Sequence, residues 1–213
     1  MQIGDRLLAV VADGLGGCGS GEIASSNAVQ VISGGAVFGR WDCDSLVECI
    51  IQANREIVNL QTEETAMRTT VAALLLDGSS ATVLHVGDSR VYQIRDNAIR
   101  FQSMDHSMAQ IAVTMGECPP DQLRTHPDQN KLYRSLGDAK KPKIDISTLD
   151  VAAGDVFVLC SDGFWGPVLE SEMLRTLADC VSMDVWLKAM RETARRYSRD
   201  NHTAICLRVT ETA

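Results

Sequence analysis

Three stretches of the chain read as an apolar strand that ends in aspartate beside glycine. They are LLAVVADG (Leu7 to Gly14), ATVLHVGD (Ala81 to Asp88) and VFVLCSDG (Val156 to Gly163). A fourth aspartate, in Asp200-Asn201, stands just ahead of the strand-like TAICLRV (Thr203 to Val209). One such Asp-Gly pair is ordinary turn chemistry. Four at strand ends point to carboxylates gathered at one rim, and carboxylates that meet must take up protons or share a cation. An all-oxygen donor set suits Mg²⁺ or Mn²⁺ rather than Zn²⁺. The expected chemistry is therefore metal-assisted, at Asp13, Asp88, Asp162 and Asp200. Gly14, Gly16, Gly17 and Gly19 would let the backbone after Asp13 come close to a bound group.

The elements that position these residues follow from periodicity. Leu7 to Ala12 is an apolar run of core-strand length. Glu22 to Ile32 repeats apolar residues at helical spacing, and Ser33-Gly34-Gly35 is expected to end that helix. Leu46, Ile50, Ala53, Ile57 and Leu60 mark a second helix. From Thr69 the period changes to that of strands. Thr69 to Leu76, Ser80 to Val86, Val91 to Arg95 and Ala98 to Gln102 are joined by short turns, which predicts a four-stranded antiparallel meander. Ser107 to Met115 reads as a helix, and Gly116 to Asn130, with three prolines, as a surface excursion. Ile144 to Leu149 and Val156 to Cys160 are strands around Ala153-Gly154-Asp155. Helices at Glu172 to Asp179 and Asp184 to Tyr197 precede the last strand. Helices before and after a large antiparallel set of strands imply a layered α/β sandwich.

Composition sets the outer limits. A chain of 213 residues, 45% hydrophobic, fits one well-buried domain, expected over residues 1–213. A net charge of −8 argues against a nucleic-acid surface. No apolar run approaches the ~20 residues of a membrane span, and the N-terminus has no basic region followed by an apolar one. The seven cysteines form no C-x-x-C pair and several lie in apolar periodic segments, which reads as a reducing cytoplasm.

Taken together, the segments resemble the metal-dependent serine/threonine protein phosphatases of type 2C, in their compact bacterial form. The resemblance is carried by VVADGLGG with GEIAS (Val10 to Ser25), Thr69-Thr70, HVGDSRVYQI (His85 to Ile94) and MDHS (Met104 to Ser107). It continues through HPDQNKLYRSLG (His126 to Gly137), GDVFVLCSDGFWGPV (Gly154 to Val168) and DNHTAICLRV (Asp200 to Val209). It implies a four-layer sandwich: two antiparallel β-sheets flanked by pairs of helices. It further implies that Asp13 bridges two Mn²⁺ or Mg²⁺ ions, that the Gly14 carbonyl ligates one of them, and that Asp162 and Asp200 complete the first metal's ligands. Asp88 would correspond to a third, weaker metal position. The reaction implied is hydrolysis of phosphoserine and phosphothreonine in proteins by a metal-activated water, with catalysis resting on Asp13, Asp162 and Asp200. The partners implied are phosphorylated proteins, among them a Ser/Thr kinase whose signalling the enzyme opposes. Neither nucleic acid nor membrane is expected, and the protein is expected to be a cytoplasmic monomer.

Three departures from the family pattern carry expectations of their own. An upstream strand with an Arg and an Asn-Glu-Asp-like segment is not found before Leu7, so at most one metal is expected to bind tightly, with weak turnover. Leu15 stands where members carry His or Met, and Arg68 where Gly precedes Thr-Thr. A catalytically impaired phosphatase-like binding module is the alternative reading. A dinucleotide-binding fold, suggested by Gly14 to Gly19, is disfavoured: Asp13 would oppose a pyrophosphate, and a second helix follows where a strand should. His85 is expected to be a packed core residue rather than a ligand, and His106 to support the fold rather than to shuttle protons. Cys18 lacks the closing Arg of a cysteine phosphatase loop, and Arg195, Arg196 and Arg199 read as a solvated helix end.

Overall fold

The run Leu8-Ala9-Val10-Val11 is apolar without alternation because both of its faces are covered. The computed structural model describes residues 1–3, 6–15, 20–38 and 41–211, and in it Leu8 packs toward helices while Ala9 and Val11 pack toward a second sheet. The same division runs through every central strand. Val71, Ala73 and Leu75 face the helices on one side, and Ala72 and Leu74 face the sheet interface. Val156, Val158 and Cys160 face the helices on the other side, while Phe157 and Leu159 return to the interface.

Two antiparallel sheets result. The first has the order β1 (Gln2–Ile3), β2 (Arg6–Val11), β5 (Val71–Asp77), β6 (Ser80–Val86) and β9 (Asp145–Asp150). The second has the order β11 (Ala204–Arg208), β10 (Val156–Cys160), β7 (Arg90–Arg95) and β8 (Ala98–Gln102). A two-stranded ladder joins β3 (Gly14–Leu15) to β4 (Arg68–Thr69). The long helices α1 (Ser20–Phe38) and α2 (Cys43–Leu60) cover the first sheet; α5 (Glu170–Ala178) and α6 (Met183–Tyr197) cover the second. Between them in sequence lie α3 (Met108–Thr114) and the single turn α4 (Asp162–Trp165). Helix, sheet, sheet, helix is the expected four-layer sandwich.

Three expectations need correction. The predicted meander is two hairpins in different sheets: β5–β6 belong to the first, β7–β8 to the second. The chain crosses between them at Gly87-Asp88-Ser89, where Gly87 takes φ +107, a conformation that L side chains rarely adopt. By the same logic β9 and β10 do not pair around Gly154; β9 joins β6 and β10 joins β7. Helix α1 runs on through Gly34-Gly35 to Phe38, because Gly35 packs against the Cys49 side chain of α2 and tertiary contact outweighs a weak local stop signal. Gln2 and Ile3 pair with Leu7 and Arg6, the Met1 ammonium donates to the Leu8 carbonyl (2.7 Å) and the Leu8 N–H to the Met1 carbonyl (2.8 Å).

The proline-rich stretch is tied down rather than free. Its 3₁₀ turn (Pro120–Thr125) buries Leu123, and Arg124 donates to both Glu170 carboxylate oxygens at 2.6 Å and to the Gly166 carbonyl at 3.1 Å. No helix among the described residues is long and apolar enough to cross a membrane.

Candidate metal centre

Each acidic residue is placed by the end of a strand and locked by its own backbone. Asp13 follows β2. Its N–H donates to Thr70 Oγ1 (2.9 Å), and its carbonyl accepts from the Thr69 hydroxyl (2.9 Å) and the Thr70 N–H (2.8 Å). Thr70 Oγ1 lies 2.6 Å from Ser89 Oγ, so a buried hydroxyl chain links the end of β2 to the residue after Asp88. The Asp88 carbonyl accepts from Trp165 Nε1 (2.8 Å), tying that corner to α4, the turn that begins at Asp162. Glycine follows two of these aspartates for a steric reason. A Cβ on Gly14 would run into the backbone of Gly21 at the start of α1, and one on Gly163 into the carbonyl of Asn201. The Gly–Gly contact seats α1 on the Asp13 turn, and the other brings Asp162 beside Asp200-Asn201.

The carboxylates then meet. Asp13 and Asp162 face each other within hydrogen-bonding reach, and the Asp13 carboxyl is pushed up to about 7 by burial, by the charge and hydrogen bond of Asp162, and by the charge of Asp200. Burial also raises Asp162, with Asp200 and Asp105 adding to it, although its hydrogen bond with Asp13 pulls the other way. Asp88, buried, is raised well above the usual carboxylate range, again by burial first and then by Asp162, Asp105 and Asp13. Asp200 is exposed at the rim, with Oδ1 accepting from the Asn201 N–H at 2.7 Å. All four aspartates anticipated from sequence thus act on one another through the Asp13–Asp162 pair, Asp88 on one side and Asp200 on the other. Gly14 sits in β3 opposite Thr69. The glycine loop at residues 16–19, including Cys18, lies outside the described residues.

One observation tests whether a cation fits. Among the described residues, Asp162 Oδ1 is buried and has no hydrogen-bond partner. Buried polar atoms are nearly always satisfied, and an orphan acceptor beside three further acids is what a hard divalent cation would complete. Asp13, Asp162 and Asp200 could hold such an ion, with Asp88 set to one side.

A different cluster resembles a metal site by proximity alone. His85, His106 and Asp145 bring ligand atoms within 4.8 Å of one another. Yet His106 Nδ1 accepts the Gly87 N–H (3.0 Å), so its proton sits on Nε2 and faces Asp145 Oδ2 (3.1 Å). The Arg134 guanidinium already holds Asp145 at 2.6 Å, and His85 Nε2 bonds the Met104 carbonyl at 2.9 Å. With both nitrogens of His106 used and a cation in place, these groups brace the Gly87 crossing, as expected of supporting histidines.

Sequence reasoning missed the partner structure around the centre. Arg90 and Asp105 form a buried two-point pair, 2.7 Å at each contact, and Arg90 stacks 3.5 Å from the Trp165 ring. The signal was available: an arginine inside RVYQI, on a fully covered strand, requires a buried anion. Thr70 and Ser89 left no comparable trace.

Comparison with known proteins agrees with this geometry. A family model described as protein phosphatase 2C matches residues 2–205. The serine/threonine phosphatase stp of Listeria monocytogenes is 29% identical over 209 residues, covering 94% of this chain and 83% of its own. The PPM Ser-Thr phosphatase MsPP from Mycobacterium smegmatis, solved in complex with cacodylate, superposes with a TM-score of 0.86 at 30% identity, over 98% of this chain and 90% of that one. The catalytic domain of the phosphatase PstP, solved with two manganese ions, superposes with a TM-score of 0.83 at 27% identity, over 96% and 88%. With a match that runs nearly end to end, this chain belongs to the protein phosphatase 2C family, the metal-dependent serine/threonine protein phosphatases.

Proposed function

We propose that Asp13, Asp162 and Asp200, with the Gly14 carbonyl, hold Mn²⁺ or Mg²⁺, that Asp88 borders a further and weaker position, and that phosphoserine and phosphothreonine proteins are the substrates. The observation that carries this reading is the orphaned, buried Oδ1 of Asp162, the aspartate whose charge acts on Asp13. A bound divalent cation would supply an acidified water and absorb charge on the transferring phosphoryl group.

The chain's own residues do the rest. Asp13 and Asp162 would hold the cation as carboxylates; without it, burial and the neighbouring Asp162 push the Asp13 carboxyl up to about 7. Thr69 and Thr70 hold Asp13 from both sides of its peptide, so the carboxylate is aimed without reorganisation. Asp105, paired with Arg90, lies near Asp88 and adds to the charge that raises its carboxyl. A Ser/Thr kinase that this enzyme opposes fits the substrate class, and the chain would act as a monomer in the cytoplasm.

The test is hydrolysis of p-nitrophenyl phosphate and of a phosphothreonine peptide, with Mn²⁺ and with EDTA, alongside metal content by elemental analysis. Manganese-dependent turnover with bound metal is expected. Turnover that persists in EDTA, or a protein that binds no metal, would overturn the reading.

A further inference from the structure

Beside the centre runs a groove of about 390 Å³ whose charge is opposite to that of the molecule as a whole. The chain carries −8, yet the groove is lined by Arg68, Arg134, Lys140, Lys141 and Lys143, with Tyr133 at its wall and Asp138 its one carboxylate. Arg134 is committed to Asp145. Among the described residues, the side chains of Arg68, Lys140, Lys141 and Lys143 make no hydrogen bond or ion pair, and all four are exposed. Four unpaired cations against one carboxylate is a local field of the reverse sign.

The groove is held in place while its charges are left free. Asn54, a buried polar residue on α2, spends its amide on this loop: Oδ1 accepts the Gly137 N–H (2.8 Å) and Nδ2 donates to the carbonyls of Asp138 (2.9 Å) and Lys140 (3.4 Å). Gln61 Nε2 adds a bond to the Gly137 carbonyl at 2.7 Å. Leu136 exchanges backbone bonds with Thr69, the threonine that also holds the Asp13 carbonyl. Arg68, beside Thr69, pairs across the ladder with Leu15. The groove is therefore anchored to the strand that positions the metal centre. An extended peptide with its phosphorylated side chain in the centre would carry its flanking residues toward the lysines.

We infer that this groove binds a run of aspartate and glutamate flanking the phosphorylated residue of the substrate. The inference rests on the phosphatase reading and adds to it a preference for acidic substrates. Charge complementarity carries it: against a molecule of net −8, an acidic chain meets a favourable local field where these four free cations stand. Lysines, as flexible point charges, suit a run of carboxylates better than one fixed group.

The experiment compares phosphothreonine peptides of one core sequence with Asp/Glu, Ala or Lys flanks, on the Mn²⁺-loaded wild type and on K140E/K141E/K143E. The wild type should show a KM lower for the acidic peptide by about three- to thirty-fold, shrinking as salt rises. The triple variant should lose or invert the preference, with p-nitrophenyl phosphate turnover unchanged. Lys141→Glu alone should give a smaller shift in the same direction. Fluorescence polarisation of the labelled peptides in EDTA reads docking without turnover, so a protein inactive on p-nitrophenyl phosphate would sink the phosphatase reading while this arm still decides the groove. Equal KM and equal binding across the flanks, or an acidic preference that survives charge reversal, overturns the inference. So does tighter binding of a second phosphothreonine than of the Asp/Glu run, or of a single-stranded oligonucleotide of equal charge.

Discussion

Strand β10 has an aspartate with a buried carboxylate oxygen at each end, and the two have opposite fates. Asp155, just before Val156, is fully buried; its carboxylate accepts from Arg95 Nε (2.6 Å) and Nη2 (2.7 Å), Gln93 Nε2 (2.9 Å) and the Ala152 N–H (3.0 Å). Burial pushes its carboxyl up, but Arg95 and these hydrogen bonds outweigh it and hold the group below the ordinary range. Asp162, just past Cys160, meets Asp13 instead of a cation, keeps one oxygen unpartnered and is raised. One end is complete within the chain and the other is not. The fold can satisfy a buried carboxylate when it has an arginine to place, so the deficit at the other end marks where charge must come from outside.

Four experiments bear on that contrast, the largest effect first. Asp162→Asn should lower Mn²⁺-dependent turnover of p-nitrophenyl phosphate by about a thousandfold or more, beyond the 10–100-fold typical of residues that only orient ligands. Its metal-free form should melt no lower than wild type in EDTA, since a repulsion is relieved. An unfolded Asp162→Asn protein would break the comparison by making that end structural too. Asp155→Ala should do the reverse. It leaves Arg95 facing a buried gap and should destabilise by about 3 kcal/mol, or roughly 6–12 °C in Tm, with kcat unchanged in the fraction that stays folded.

The third is a pH effect on metal-free protein. Asp13 is pushed up to about 7 in the fold from its ordinary value of 3.8, so the folded state binds the proton more tightly than the unfolded chain does. Its stabilising share is complete below about pH 4 and fades as pH rises through about 7. In EDTA, wild type should therefore gain a few degrees of Tm relative to Asp13→Asn when pH falls from 8 to 5.5. Referring to that variant cancels His106, whose lowered pKa opposes the trend. A flat difference would remove the proton from the Asp13–Asp162 pair. The smallest effect is expected at Asp150, which also contacts Arg95 (2.6 Å) but is 83% exposed. Asp150→Asn should leave the denaturant unfolding midpoint indistinguishable from wild type, showing that burial and not pairing sets the contrast.

Much of this was legible in the chain. The strand-then-Asp-Gly pattern located Asp13, Asp88 and Asp162 because the rule behind it is local: a covered strand is apolar throughout, and the turn after it needs a glycine where backbones touch. Strand partners were not legible. The Gly87-Asp88-Ser89 crossing is only one residue longer than the turn at Asp96-Asn97, where both residues take positive φ, yet one changes sheets and the other reverses within a sheet. Nothing within either segment states which distant strand will take its hydrogen bonds. The Arg90–Asp105 pair was hidden for the same reason, since the half in RVYQI declares a need that only the half in MDHS can meet. Gly34-Gly35 misled because helix-stop signals are weak and the contact with Cys49 lies in another helix.

The crossing has a kinetic consequence. No sheet is assembled from one continuous stretch: Leu8 waits for Leu75, Ser80 for Asp150, and Val156 for Ile94 and Arg208. Closing such distant pairs makes folding slow compared with helical domains of similar size. During synthesis Asp13 emerges early, while Asp162 and Asp200 emerge late, so the acidic rim comes together only when most of the chain has been made. A nascent or prematurely ended polypeptide therefore has no competent cluster with which to capture manganese, and acquisition of the ion becomes a late event that reports completion of the fold.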